Sequence, residues 1–367
     1  SGNQAGSGGA IVGLNSLFID GSTFLNNYSA GSGGAIFFSS GALSVLRSEF
    51  GGNTAAGDGG AIRLFGGANR VVNSTFSGNE AVNGGAVATS SGDDTRFYNS
   101  TFAGNYAAND GGAVAGLSST NILTFYTSTF SGNLAGGYGG GISQDSIFFA
   151  LTNSIVAGNE SASGGDDIYT ASGASAVYLG VNLFSQSGAG DAQDIYAADL
   201  TTIFGAVGAN PDTGVTSGVL ADNGGPVQTV ALNISGIAVD AGDSAVLTPD
   251  AFDLDGDAVT AEDLPVDARG LERVTGTELD LGAVEMSQTY TVTTLDDETF
   301  EAGDLAAETA DGNGLSLREA LALAQDGDAI DFDASLSAGT LTLGGTQPST
   351  AISMTTAIST SSSMQMA

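Results

Sequence analysis

FSGNEAVNGGAVATSS (residues 76–91) is one copy of a phrase that returns as FGGNTAAGDGGAIRLF (50–65), FAGNYAANDGGAVAGL (102–117) and FSGNLAGGYGGGISQD (130–145). Aligned on it, Asn27, Asn53, Asn79, Asn105, Asn133 and Asn159 follow one another at steps of 26, 26, 26, 28 and 26 residues. The second glycine of each pair recurs alongside, at Gly9, Gly34, Gly60, Gly85, Gly112, Gly140 and Gly165. A fixed period of this size marks a stacked, quasi-one-dimensional fold. Each period holds two apolar runs with in-and-out alternation, such as GGAIFF (33–38) and ALSVLRSEF (42–50). That alternation is the two-residue repeat of a strand, and helix-favouring runs are missing from this region.

A coil of about 26 residues with short strands and glycine corners predicts an all-β chain: a right-handed parallel β-helix whose coils pair at about 4.8 Å. Phe24, Phe50, Phe76, Phe102 and Phe130 then fall in one interior column, with Val156 in that place in the next coil. Each buried Phe contributes ~1.5–3 kcal/mol. The Asn residues form a second column, bonding to the coils above and below where the corner leaves backbone groups unpaired. The Gly pair supplies angles and close approach that a Cβ forbids. The preceding position reads Ser7, Ser32, Asp58, Asn83, Asp110, Tyr138 and Ser163, which suggests a solvated corner more than a cation ladder.

Composition narrows the function. The chain of 367 residues has 57 Gly, no Cys, no His and no Trp, and 41 acidic against 7 basic residues give a formal charge of -34. All seven cations are arginine. Nucleic acid needs a positive footprint that this chain lacks, and anionic membranes are disfavoured for the same reason. Without His and Cys, the usual general base, zinc ligand and thiol nucleophile are missing. Nor does any run of about 18 apolar residues suit insertion into a membrane. A carboxylate-rich chain repels itself unless cations screen or bridge it, which points to saline or calcium-containing surroundings outside the cell.

The pairing of GGAI with Phe-x-x-Asn over residues 1–165 resembles the repeat of the polymorphic outer membrane protein family of bacterial surface adhesins. That resemblance implies a surface-displayed β-helical stalk or adhesin and names no ligand. Residues 166–286 read as an irregular β-helix end. Their ordered series Asn223-Gly224-Gly225-Pro226, Asp240-Ala241-Gly242, Asp267-x-Arg269-Gly270 and Asp280-x-Gly282-Ala283-x-Glu285 resembles the choice-of-anchor Q segment of bacterial surface β-helices. The resemblance implies attachment to a surface. Residues 287–345 resemble the CSLREA segment that begins many bacterial β-helix proteins, with Leu315 where the family pattern has Cys. Residues 346–367 form a Ser/Thr-rich tail or strand.

Three local readings go with these segments. In DAFDLDGDAVTAEDLPVD, Asp253, Asp255 and Asp257 alternate around Gly256, with Glu262 beyond. That is an incomplete calcium loop, and Ca2+ is the one cofactor expected, against an acidic solvated loop. Arg269 and Arg273 read as partners for Asp267, Asp280 or Glu285 that hold the end of the domain together. Ser316-Leu317-Arg318-Glu319 is a capping box opening a short capping helix, whose apolar face (Leu317, Ala320, Leu321, Ala324) calls for something to cover, such as the open first coil of another β-helix.

A segment that starts a β-helix thus follows one that ends it, which predicts either tandem modules or a head-to-tail homopolymer. The function expected is a non-enzymatic, extracellular or cell-surface structural or adhesive β-helix whose main partner is itself. The alternatives are a β-helical polysaccharide lyase or hydrolase, which needs converging acids, and a binder of extracellular glycans through aromatic side chains such as Tyr98, Tyr106, Tyr126 and Tyr138. In the repeat body, Arg47, Arg63, Arg70 and Arg96 show no evident cluster with the acids.

Overall fold

The computed structural model describes residues 1–90, 92–145, 148–171, 174–186, 190–250, 252–254, 258–260, 262–275, 278–286, 289–300, 305–310, 313–324, 329–336, 341 and 363–365. It divides into two compact units, Ser1–Glu285 and Met286–Ala367.

The first unit is a parallel β-solenoid. Its third complete coil shows how one phrase folds: Thr75–Ser77 carries the Phe, Glu80–Ala81 follows the Asn corner, Val87–Thr89 follows the Gly pair, and Asp93–Tyr98 is the long side. Each run pairs only with its equivalents in neighbouring coils, giving four sheets, here numbered 1 to 4 in that order. Sheet 1 has eight strands and the other three have seven. Register follows the repeat residue for residue, Phe24 with Phe50, Phe76, Phe102 and Phe130 in turn, then Val156, Phe184 and Tyr196.

Inside, the Phe rings stack at centroid distances of 4.8, 4.8, 4.9 and 4.5 Å, tilted by 7° or less. Ile36, Ile62, Val87, Val114 and Ile142 from sheet 3 and Val45, Val71, Phe97 and Phe125 from sheet 4 close the core around them. Both glycines of the pair are demanded by geometry. Gly33 has φ +69°, and a Cβ on Gly34 would lie 2.0 Å from the carbonyl oxygen of Gly60 in the next coil.

The sheet 1 column ends at Ile195–Tyr196, and the following chain turns back along the solenoid. The described residues between 197 and 285 form a strap that includes two short antiparallel pairs, Val207–Ala209 with Thr216–Gly218 and Leu220–Ala221 with Thr229–Val230. It lies on the outer face of sheet 1. Thr75 Oγ1 donates to the Gln228 carbonyl (2.5 Å), and Thr129 Oγ1 accepts from the Ala283 amide (2.9 Å). The outward Thr75, Thr101, Thr129 and Ser131 are consequently buried.

In the second unit, Thr289–Val292 and Ala329–Phe332 pair in parallel, and Ser363–Gln365 adds to the latter antiparallel. Helices α1 (Leu305–Ala310) and α2 (Leu317–Leu323) lie between the parallel strands in sequence. The capping box is formed as read: Ser316 Oγ accepts from the Glu319 amide, and Glu319 Oε2 accepts from the Ser316 amide at 2.7 Å. The apolar face of α2, for which the sequence offers the open first coil of another β-helix as one candidate cover, is covered within its own unit. Ala320, Leu317, Leu321 and Ala324 pack with Tyr290, Val292, Leu315 and Ile330, because the parallel strands on either side of the helix in sequence give it a core of its own.

Candidate functional site: side-chain ladders and a carboxylate knot

The Asn column is a continuous hydrogen-bonded ladder. Asn53 Oδ1 accepts both the backbone amide (3.0 Å) and the Nδ2 (2.8 Å) of Asn27, while its own Nδ2 donates to Asn79 Oδ1 (2.9 Å) and to the Phe24 carbonyl (2.9 Å). The pattern starts at Asn3 and runs through Asn79, Asn105 and Asn133 to Asn159. Its direction is fixed, because every amide donates toward the following coil. At Asn159 the acceptor is instead Asp167 Oδ1 (3.2 Å), whose carboxylate also takes the Ser185 and Gln186 amides (2.8 and 3.0 Å). Burial pushes the Asp167 carboxyl up to about 6 despite these donors.

A second ladder was missed in the sequence. Ser22, Ser48, Ser74, Ser100, Ser128 and Ser154 stand two residues before the Phe column or its Val156 continuation. The backbone amides of Ser22, Ser48, Ser100 and Ser128 each donate to the serine hydroxyl of the following coil, at 3.0–3.3 Å. Ser154 donates to Asn182 Oδ1 (3.0 Å), and Asn182 to Asp194 Oδ1 (2.8 Å). Burial raises the Asp194 carboxyl above its ordinary value. Both ladders therefore end on a carboxylate, a group that accepts and cannot pass a donor onward.

The column before the Gly pair is more ordered than a solvated corner. Ser32 Oγ accepts the Asp58 amide, Asn83 Nδ2 donates to Asp58 Oδ1, Asn83 Oδ1 accepts the Asp110 amide, and Asp110 Oδ1 accepts the Tyr138 amide, all at 2.8–3.2 Å. The arginines of the repeat body also find acids, contrary to the sequence reading. The period carries Asp20 beside Arg47 (2.6 Å), Asp58 near Arg63 (3.7 Å), and Asp94 between Arg70 (3.4 Å) and Arg96 (3.0 Å). The hydrogen bond to Arg47 holds the Asp20 carboxyl below its usual range.

The ordered motifs of residues 223–285 meet in one knot with a buried centre. Asp267 Oδ2 pairs with Arg269 Nε (2.8 Å) and accepts the Glu285 amide (3.0 Å). Glu285 Oε2 accepts the Asp280 amide (2.9 Å), and Asp280 Oδ1 accepts the Asp240 amide (2.7 Å). Arg273 Nη2 donates to the Asp280 and Gly282 carbonyls (2.7 and 2.8 Å). Gly225 abuts the Arg269 backbone, where a Cβ would come within 2.4 Å. Asp267, Arg273, Asp280 and Glu285 are each 0–1% exposed. Burial, opposed by Arg273, pushes the Glu285 carboxyl up to about 7. Arg269 pairs with the Asp267 carboxylate as expected, whereas Arg273 bonds to backbone carbonyls and acts on Glu285 through its charge alone. Carboxylates so enclosed fasten chain to chain and cannot meet a polymer substrate.

Of the expected calcium ligands, Asp255 and Asp257 lie outside the described residues. Asp253 Oδ1 accepts the Ala258 amide (2.9 Å), and the Glu262 carbonyl accepts the Asp250 amide (2.8 Å). Among the described residues no group of three or more metal-binding side chains is gathered. Two grooves of about 310 and 450 Å³ share Ser77 and Gln228 between strap and sheet 1; their linings include Glu49, Asp212 and Asp222 but neither arginine nor an aromatic ring. The aromatic candidates lie elsewhere: Tyr98 stacks on Tyr126 at 4.9 Å on the outer face of sheet 4, and Tyr138 on Tyr169 at 4.4 Å. Among the described residues, no helix is long and apolar enough to cross a membrane.

Fold and ladders together define a β-solenoid assembled from short GGA/Phe-x-x-Asn repeats. The profile of the Chlamydia polymorphic membrane protein repeat matches residues 21–39, 47–63 and 127–144, so the chain carries repeats of that type. Each match runs from the serine-ladder corner through the Asn to the Gly pair. That description is of a membrane-protein repeat, and with the β-solenoid it supports a surface or outer-membrane β-helix protein. No curated protein matches the chain.

Proposed function

We propose that this chain is a rigid segment of an extracellular stalk or adhesin, displayed at the cell surface and extended head to tail by further coils or further copies. The unbroken ladder from Asn3 to Asn159 supports this most directly. Seven stacked coils, at about 4.8 Å each, give a shaft of roughly 34 Å in which every level is tied to the next by side-chain bonds as well as sheet bonds. The polarity of the ladder suits addition at the first coil, where Asn3 Oδ1 is the acceptor an additional coil would address. Calcium at the acidic loop around Asp253 and Glu262, with Asp255 and Asp257, belongs to the same proposal, as a brace against the charge of -34. Extracellular glycans are the second reading, favoured by the half-buried Tyr98 and Tyr126 stack beside Arg96.

Electron microscopy of the purified chain, in calcium and after chelation, tests assembly and brace together. Filaments that fragment on chelation are expected. Dispersed particles in both conditions would rule out calcium-braced polymerisation and turn attention to glycan binding by isolated units.

A further inference from the structure

Besides the Asn and Ser ladders, the solenoid buries polar side chains at the inner corner between sheets 3 and 4. After Gly13 in the first coil, the last inward position of sheet 3 is Phe38 and then Leu64; in later coils it becomes Thr89, Gly116 and Gln144. Beside this column stand Asn69, Asp93, Thr95 and Asn121, all buried. Asn69 Nδ2 reaches Thr95 Oγ1 (3.2 Å) and Asp93 Oδ1 (3.4 Å), and Asn121 Nδ2 donates to Thr89 Oγ1 (3.0 Å). There the protein's own pairing stops. Asn121 Oδ1 and both ends of the Gln144 amide have no protein partner, although both residues are 0% exposed. Leaving a buried polar atom unpaired costs about 1–3 kcal/mol, and this corner would bear that cost three times within adjacent coils.

Gly116 occupies the level between Thr89 and Gln144 and has no side chain to place there. We infer that this corner is a built internal solvent site, in which ordered water bridges Asn121 Oδ1 to the Gln144 amide at the level of Gly116. The chemistry of the unpaired atoms selects the ligand. Two are acceptors, Asn121 Oδ1 and Gln144 Oε1, and one is a donor, Gln144 Nε2. A bare cation satisfies the oxygens and leaves Nε2 facing positive charge; an anion satisfies Nε2 and is repelled by both oxygens. Water donates twice and accepts as well, and such buried waters make about three hydrogen bonds each. The site would make the middle of the shaft a wet level, distinct from the Leu64 and Phe38 levels two and three coils before the level of Gly116.

A high-resolution crystal structure of the intact chain, with a rubidium soak of the same crystals, tests this. The expected result is one or two solvent peaks at about 2.7–3.2 Å from Asn121 Oδ1 and the Gln144 amide, without an anomalous signal. In the Gly116→Ser variant the new hydroxyl is expected to replace one peak. Overturning results are an anomalous rubidium peak at the amides, Gln144 paired with protein groups, or no density between the two side chains.

Discussion

Asn105 uses its whole hydrogen-bonding capacity inside the protein. Its Oδ1 accepts from the amide and Nδ2 of Asn79 (3.1 and 2.9 Å), and its Nδ2 donates to Asn133 Oδ1 (2.9 Å) and to the Phe76 carbonyl (3.0 Å). Changing it to Asp preserves volume but removes the donor and sets a carboxylate against two acceptors. Asn105→Asp is therefore expected to destabilise unit 1 by about 3–5 kcal/mol, as much as the cavity left by Phe102→Ala. Urea denaturation of both variants checks this; an Asp variant as stable as its parent would mean that the ladder contributes shape alone. The Phe and Asn columns were legible because a periodic apolar or amide residue has one obvious use in a stack. The serine ladder was equally periodic, in GSTF, RSEF, NSTF and TSTF, yet serine is so common at corners that its recurrence passed as composition. The residue before it takes φ of 44–48° at Arg47, Asn73, Asn99, Thr127 and Asn153, a strained corner that no residue type announces for Arg or Thr.

The strap is held by its knot more than by its strands, which are only two or three residues long. Arg273 is the fully buried cation among Asp267, Asp280 and Glu285. Removing it as Arg273→Met leaves the carboxylates enclosed without that charge, a loss of about 3–5 kcal/mol. The strap should then open while the coils persist. Limited proteolysis is expected to cut within residues 197–285 in the variant and leave a resistant solenoid fragment; uniform degradation, or unchanged resistance of the strap, would show that knot and coils are not separable in this way. The sequence showed the four motifs of the knot in order and pointed to an acid for Arg269, but not that Arg273 would bond to backbone carbonyls instead. It did not show that they fold back onto sheet 1, because the contacts join residues such as Thr75 and Gln228 across 153 positions with no periodic signal. Helix α2 was misjudged for a related reason: its cover, Tyr290 and Ile330, comes from short strands on both sides of it in sequence, and parallel pairing across a helix is invisible to local pattern.

Across the whole molecule, burial raises rather than lowers the carboxyls that matter. Asp93 and Asp167 are pushed up to about 6, Glu285 to about 7, and Asp194 upward, in each case chiefly by desolvation. An acid whose folded value exceeds its unfolded one binds more protons in the native state, so stability falls as pH rises through that interval. For these groups the interval runs from the ordinary carboxylate range, near 4, to about 7. Exposed Asp20 acts in the other direction, since its bond to Arg47 is lost only as pH drops below the ordinary range. The charge of -34 adds self-repulsion at neutral pH, which salt screens. Unit 1 is therefore expected to be most stable near pH 5, with a melting temperature at least ~5 °C above that at pH 7.5. Salt should narrow this gap by raising the neutral value, and Asp167→Asn should narrow it further by removing a group whose ionisation opposes folding. A melting temperature that climbs steadily from pH 5 to 7.5 would mean that the hydrogen bonds at Asp167 and Glu285 outweigh their burial, and that the two ladder ends and the knot are held by ionised carboxylates after all.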